Sequence, residues 1–320
     1  MRAFRVEDLN GTMGLAEIAR PQPGPGEVLI ALRACGVNFA DLLLTEGRYQ
    51  EKPPLPFTLG MEAAGVVEAT GPDVSELVPG DRVGVFGRDG GLAEAGVFPA
   101  DRCVKLPGSM SFETAAAFMI GYGTAHVALS HRARLQPGET LFVTGAAGGA
   151  GLTAVELGAA MGARVIASAR GAEKLARAKA SGAAEVIDSE APDLRASLRS
   201  LGGVDVVYDT VGGPAFDEAL RATRPEGRLI PVGFAGGGVP QIPANLLLVK
   251  NLTVLGVYWG GYMSFRPEVI RESFTELFAL FEAGRIAPHI SALLPLARVE
   301  EALDLVRSRK STGKVVVTIG

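Results

Sequence analysis

Apolar residues change their rhythm along this chain, and the change divides it. In the first third, short runs such as residues 28–32 and 63–67 are broken by turn clusters, among them Pro21-Gln22-Pro23-Gly24-Pro25-Gly26. Runs of that length between Gly and Pro clusters predict antiparallel β structure. From Ser111 the texture shifts, because Ser111-Phe112-Glu113-Thr114 leads into an alanine-rich stretch as a capped helix would. After Gln136-Pro137-Gly138-Glu139 strands and helices alternate: strand 140–144, helix 152–161 stopped by Gly162, strand 164–168, helix 173–181 stopped by Gly182, strand 185–188, helix 193–201, strand 204–209, helix 214–223 and strand 228–232. Such alternation builds a parallel sheet with helices on both faces. Beyond Asn251 come an apolar strand-like run at 252–259, an amphipathic helix over 266–283, a helix over 299–309 and a strand at 314–319. No internal repeat is visible.

Composition narrows the class. At 320 residues the chain is long enough for about two domains. Hydrophobic residues make up 48% and charged residues 21%, and 31 Lys+Arg against 35 Asp+Glu gives −4, the balance of a globular protein with no nucleic-acid footprint. Glycine is the outlier: 42 of 320 is about 13%, against roughly 7% on average. Two cysteines and three histidines are too few for a disulfide framework, and they suit a reducing cytoplasm. The first ten residues carry Glu7 and Asp8 and lack an apolar core, so no signal peptide is expected. The longest charge-free stretch, 229–249, is interrupted by prolines and glycines, so no membrane span is expected.

Part of the excess glycine sits where it has chemistry to do. Gly145-Ala146-Ala147-Gly148-Gly149-Ala150-Gly151 follows one predicted strand and opens a helix, the setting of a dinucleotide fingerprint. Small residues there let the backbone approach a pyrophosphate, which free N–H groups and the helix dipole then meet. Ala146 replaces the first glycine of the usual pattern. At the tip of the next strand, where an acid would bind the ribose of NAD, stands Ala167-Ser168-Ala169-Arg170-Gly171, and Lys174 follows one turn on. A basic pair suits a 2′-phosphate and favours NADP, with Glu173 beside it.

From Pro21 onward the chain resembles the medium-chain dehydrogenase/reductase superfamily in its zinc-free quinone oxidoreductase, or zeta-crystallin-like, branch. The carriers are Pro23-Gly24-Pro25-Gly26-Glu27-Val28, Cys35-Gly36-Val37-Asn38-Phe39-Ala40-Asp41, Gly47-Arg48-Tyr49, Gly60-Met61-Glu62-Ala63-Ala64-Gly65, Gly80-Asp81-Arg82-Val83, Tyr122-Gly123-Thr124-Ala125, the glycine loop and Thr312-Gly313-Lys314-Val315-Val316-Val317. The resemblance implies an α/β protein with a GroES-like β-rich catalytic domain over 1–120 and 264–320. It also implies a Rossmann doubly wound parallel-sheet domain that binds NADP over 121–263, with substrate and nicotinamide meeting between the two. Where the zinc alcohol dehydrogenases carry a ligand cysteine and a ligand histidine, this chain has Asn38 and Met61, which are poor zinc donors. Cys35 and Cys103 read as small buried residues, and His126, His131 and His289 as surface or satisfied histidines rather than ligands.

The expected activity is NADPH-dependent transfer of hydride to a quinone or other conjugated carbonyl, without zinc. Lacking a Lewis acid, such an enzyme depends on an acceptor that passes the incoming charge to an oxygen held by hydrogen bonds. Carried over by position, the catalytic candidates are Asn38, Tyr49 and Thr124. The cofactor candidates are Asn38, Thr124, Gly148, Gly149, Ala150, Gly151, Arg170, Lys174, Thr210, Gly233, Phe234, Arg309 and Lys314. Some family members place a tyrosine on the adenine side where this chain has Ser189. The run 252–259 is expected to be an edge strand that pairs across a homodimer, as in the family. Two alternatives stand beside this reading. One is an enoyl-thioester or enone reductase, for which Arg48, Lys52 and Arg266 are the available basic residues; the other is a non-catalytic, crystallin-like NADPH-binding protein.

Overall fold

The computed structural model describes residues 1–320 and divides the chain into two compact units, Met1–Ile120 with Pro288–Gly320, and Gly121–Ala287. In the first unit the long strand Glu27–Val37 is the spine. It is buried along nearly its whole length, which its near-continuous apolar sequence permits. It pairs antiparallel with Glu62–Thr70, Ala95–Pro99 and Lys314–Thr318. The sheet runs from Ile290–Pro295 through Lys314–Thr318, Glu27–Val37, Glu62–Thr70 and Arg82–Phe86 to Cys103–Lys105. Where it slips register between Leu32 and Ala34, Gly65 faces the spine, and a Cβ there would lie 2.1 Å from the Ala31 carbonyl oxygen. Glycine is what lets the two strands close at that irregularity. Phe4, Val28, Ile30, Leu32, Leu303 and Val317 lie in the core around this spine.

In the second unit six strands form one parallel sheet in the order Glu185–Asp188, Arg164–Ala169, Thr140–Val143, Val204–Asp209, Thr223–Pro231, Thr253–Val254. Phe142, Ile166, Val207, Phe216 and Leu229 fill its core. This is the GroES-like plus Rossmann α/β architecture expected. Helix ends follow their caps: Ser111 accepts from the Thr114 N–H before helix Phe112–Ala116, and Asp193 accepts from the Ala196 N–H before Leu194–Ser200.

Three features depart from the sequence reading. The run 252–259 contributes only the two-residue strand Thr253–Val254, and the chain then turns inward until Trp259 is buried, edge-on to Phe274 at 6.2 Å. An aromatic anchor won over β propensity. Helix Pro267–Glu282 belongs to the second unit, so the chain returns to the first at Pro288 rather than at 264. Its inner face explains this, because Ser273 Oγ meets His126 Nδ1 at 2.9 Å and Phe274 meets Trp259. Finally, helix Met119–His126 continues into a π-helical turn, Val127–Arg132, and short helices form at Phe39–Thr45 and Ala244–Lys250, outside the expected elements.

Candidate functional site

In the first unit, three strand ends converge on one buried carboxylate. Asn38 follows the spine strand and caps helix Phe39–Thr45, its own N–H donating to Asp41 Oδ2 at 2.8 Å. Glu62 begins strand Glu62–Thr70 and Lys314 begins strand Lys314–Thr318. Lys314 Nζ donates to Glu62 Oε1, with side-chain exposures of only 4% and 0%. It also donates to Asn38 Oδ1 at 2.8 Å, while Asn38 Nδ2 donates to Glu62 Oε1 at 3.0 Å and to the Gly36 carbonyl at 3.3 Å. Glu62 Oε2 takes the Ile120 N–H at 2.7 Å. The carboxamide orientation is dictated by its partners, since a carboxylate needs a donor and an ammonium an acceptor. Both Nδ2 hydrogens are thereby used and one Oδ1 lone pair remains. Gly36 makes the approach possible: a Cβ there would sit 2.0 Å from the Ala116 carbonyl oxygen and 2.7 Å from Glu62 Oε1.

Neighbouring groups keep their protons. Burial pushes the Asp41 carboxyl up to about 7, against the pull of the Asn38 N–H and of Lys314. Burial likewise raises the Cys35 thiol well above its usual value, so it is an inert packing residue. Tyr49, half-buried, is pushed up to about 12 by burial and by Glu51 and Asp41, so its hydroxyl remains a donor.

In the second unit the glycine loop follows strand Thr140–Val143, with Gly145 in the left-handed region at φ 58. Gly148 caps helix Gly149–Ala160 without a side chain, and the first intrahelical bond is Leu152 N–H to Gly148 O at 2.8 Å. The N–H groups of Gly149, Ala150 and Gly151 therefore precede the helical ladder. A Cβ on Gly151 would lie 2.2 Å from the Gly145 oxygen, so the helix start packs on the loop through glycine alone. A small group bearing negative charge fits this cradle. Below it, buried Asp209 accepts from Thr144 Oγ1 and from the Gly212 N–H at 2.8 Å. Thr210 donates its N–H to Thr144 Oγ1 and its hydroxyl to the Thr144 oxygen, both at 2.9 Å. Thr210 thus pins the loop from beneath, and the Val232 N–H donates to Asp209 O at 2.7 Å at the start of the Gly233 turn, where Phe234 is 43% exposed.

Arg170 stands just past strand Arg164–Ala169 and pairs with Glu190 at 3.1 Å, both side chains 66% exposed. Lys174 is the third residue of helix Ala172–Ala180. A cation in a first turn opposes the helix dipole. Thr124 lies half-buried on helix Met119–His126, and Arg309 stands exposed beyond helix Val299–Arg307 with φ 55. The structure therefore joins Asn38 to Lys314 in the first unit and gathers Thr210 and Gly233 under the loop in the second. Glu62, Asp41 and Asp209 were missing from the sequence-derived set. Glu62 had a signal, lying inside the Gly60-Met61-Glu62 run. His126 is satisfied by Ser273 and Glu276, and His289 by Thr312. No group of three or more His, Cys, Asp or Glu side chains is arranged to hold a metal ion.

Residues 24–108 match the alcohol dehydrogenase GroES-like domain family and residues 149–279 the zinc-binding dehydrogenase family. A quinone oxidoreductase-like protein 2 homolog of Nematostella vectensis is 45% identical over 299 residues, covering 92% of this chain and 82% of that protein. The human synaptic vesicle membrane protein VAT-1 homolog is 34% identical over 320 residues, covering 94% and 81%. Among solved structures, the quinone oxidoreductase of Thermus thermophilus, described also in its complex with NADPH, superposes with a TM-score of 0.88 at 33% identity and full coverage of both chains.

The buried cluster can be tested by removing its cation or its neighbouring acid. Lys314→Met strands the Glu62 carboxylate without its cation and should cost about 3–5 kcal/mol in urea unfolding; a loss below about 1 kcal/mol would show that the pair is not held out of water. Asp41 keeps its proton to about pH 7 in the folded chain, whereas the unfolded chain loses it near pH 4. Stability should therefore fall as pH rises between about 4 and 7, and Asp41→Asn should flatten that fall; an identical slope in wild type and variant would contradict the raised value.

Proposed function

This chain belongs to the quinone oxidoreductase branch of the medium-chain dehydrogenase/reductase superfamily, and on that footing we propose that it is an NADPH-dependent reductase of quinones and related conjugated carbonyls. The observation that carries the cofactor half is the Gly148-capped start of helix Gly149–Ala160, with Arg170 and Lys174 at the next strand's tip. Three N–H groups and the helix dipole are suited to a pyrophosphate, and the two cations to a 2′-phosphate. The NADPH complexes of a similar quinone oxidoreductase and of a similar mycobacterial protein support the same reading.

Bound NADPH would supply hydride at its nicotinamide ring. The residues of this chain would do the rest. Asn38 has both amide hydrogens committed to Glu62 and Gly36, so its part is to orient, through the remaining lone pair of Oδ1. Donating to the acceptor oxygen falls to Tyr49, whose hydroxyl stays protonated across the working range. Thr124 is assigned a supporting hydroxyl beside the nicotinamide. The donor set does not fit zinc, since Asn38 and Met61 offer a carboxamide and a thioether and Glu62 is already held by Lys314. A substrate activated by its own conjugation follows from that. Free thiols at Cys35 and Cys103 suit a reducing, cytoplasmic setting, and no helix is long and apolar enough to cross a membrane.

We also assign a homodimer to the sheet edge at Thr253–Val254, beside which Leu248 and Val249 on helix Ala244–Lys250 are 78% and 70% exposed.

Fluorescence titration should show NADPH binding more tightly than NADH, and NADPH oxidation should run faster with 1,4-benzoquinone than with an enone or a short enoyl-CoA; binding of neither nucleotide would remove the reading. Lys174→Ala should raise the KM for NADPH on the order of tenfold while leaving that for NADH nearly unchanged, and equal effects would contradict the 2′-phosphate role. In sedimentation, the Leu248→Lys, Val249→Lys double variant should run as a monomer at concentrations where the parent is dimeric. A parent that is monomeric throughout would end the dimer assignment.

A further inference from the structure

The chain passes between its two units twice, at Ile120–Gly121 and at Ala287–Pro288. On the second unit's side both passages are held by a single helix, the one that opens on the glycine loop. Glu156, in its third turn, accepts from the Tyr122 hydroxyl through Oε2 and from the Ala287 N–H through Oε1 at 2.9 Å. One turn nearer the loop, Thr153 Oγ1 lies 3.2 Å from the Gly121 oxygen and 2.9 Å from that of Ala150. On the first unit's side the same two passages meet residues of the buried cluster, one through the Glu62 carboxylate and the other through the Lys314 backbone. Glu62 Oε2 takes the Ile120 N–H at 2.7 Å, and the Lys314 N–H donates to the His289 oxygen at 2.9 Å.

In the second unit both passages are tied to one carboxylate, Glu156; in the first they are tied to two residues of one ion pair, Glu62 and Lys314. Glu156 is seven residues past Gly149, about 10 Å along the helix axis from the loop. Tyr122 is 2% exposed and Gly121 is buried, so the bonds to these two exchange little with water, whereas the Ala287 bond lies at the surface. A helix is stiff over that length; the first passage lies in the opening turn of helix Met119–His126, and the second in the non-helical segment between helix Pro267–Glu282 and strand Ile290–Pro295.

The geometry points to Glu156 as a positioning residue that carries cofactor occupancy at the glycine loop to both passages, and through Ile120 and His289 to the Asn38–Glu62–Lys314 cluster. The inference rests on the NADPH reading above. When the helix start is fixed by a bound pyrophosphate, Thr153 and Glu156 are fixed with it, and opening of the two passages becomes costlier. Glu156 touches neither substrate nor cofactor; it acts through Tyr122 and Ala287.

Hydrogen–deuterium exchange on the full chain, with and without saturating NADPH, tests this on peptides covering 145–152, 118–124 and 285–291. In the parent all three should be protected by NADPH. In Glu156→Leu the loop peptide should keep its protection while both passage peptides lose it, on the order of tenfold at 118–124 where the lost bond is shielded and severalfold at 285–291 where it is exposed. Glu156→Gln should restore it, because the carboxamide oxygen can accept from Ala287 and its nitrogen can donate to the Tyr122 oxygen. The KM for NADPH should stay within about twofold in Glu156→Leu while kcat falls on the order of tenfold, a split that loss of cofactor affinity would not give. Should Glu156→Leu fail to fold, Tyr122→Phe removes one oxygen and should lose protection at 118–124 but not at 285–291. Undiminished NADPH protection of the passage peptides in Glu156→Leu or, where that variant does not fold, in Tyr122→Phe at 118–124 overturns the inference. Absence of protection at 145–152 in the parent is a different failure, that of the cofactor reading itself.

Discussion

Glu62 carries a carboxylate to which water has no access, and a buried charge of that kind is tolerated only when it is paired and fully hydrogen-bonded. Lys314 supplies the opposite charge, Asn38 a donor and the Ile120 backbone another. These partners come from the C-terminal strand, the end of the spine strand and the last residue before the chain enters its second unit. Satisfying one side chain therefore fixes the register of three strand ends at once. Gly36 and its missing Cβ are part of the same arrangement, since any larger residue would push Glu62 away from its partners.

The glycine loop of the second unit follows the same logic with a different centre. Asp209, buried at the end of the central strand Val204–Asp209, gathers Thr144 and the N–H groups that follow it, and Thr210 closes back onto Thr144. The loop above then needs no side chain of its own: Ala146, Ala147 and Gly151 are buried, while Gly148, Gly149 and Ala150 at the helix start stay accessible, in a shape suited to phosphate. Rigid strand ends beneath and an open helix end above are what a tight anion site needs. The polar residues that hold the loop still sit under it rather than in it.

Much of this was legible. Most of the alternating strands and helices of 140–232 appear within a few residues of their expected ends, where Gly162, Gly182, the Asp193 cap or Pro214 supplies a local signal, whereas the last strand begins at Thr223 rather than at 228, with no such signal ahead of it. The helix at Phe39–Thr45 was not, since Asn38 reads as easily as a turn. The 252–259 run misled because strand propensity is local, whereas the burial of Trp259 against Phe274 and Gly123 is decided in part by chain more than a hundred residues distant. Asn38 and Lys314 were singled out as belonging near the cofactor, but nothing in their spacing, 276 residues apart, revealed that they touch.

By itself, the sequence determined whatever short-range chemistry decides: the two rhythms of the chain, the caps, the glycine cradle at the head of a helix, the basic tip of the second strand of the sheet, and the scarcity of cysteine and histidine. Only the tertiary structure decided where the charges go. It showed that Lys314 answers Glu62, that Asn38 commits its amide hydrogens to that pair and to Gly36, and that Glu156 meets both the Tyr122 hydroxyl and the Ala287 N–H. The physical reason is that propensities and caps act within a few residues, whereas the pairing of a buried charge is set by which distant segments exclude water from it together.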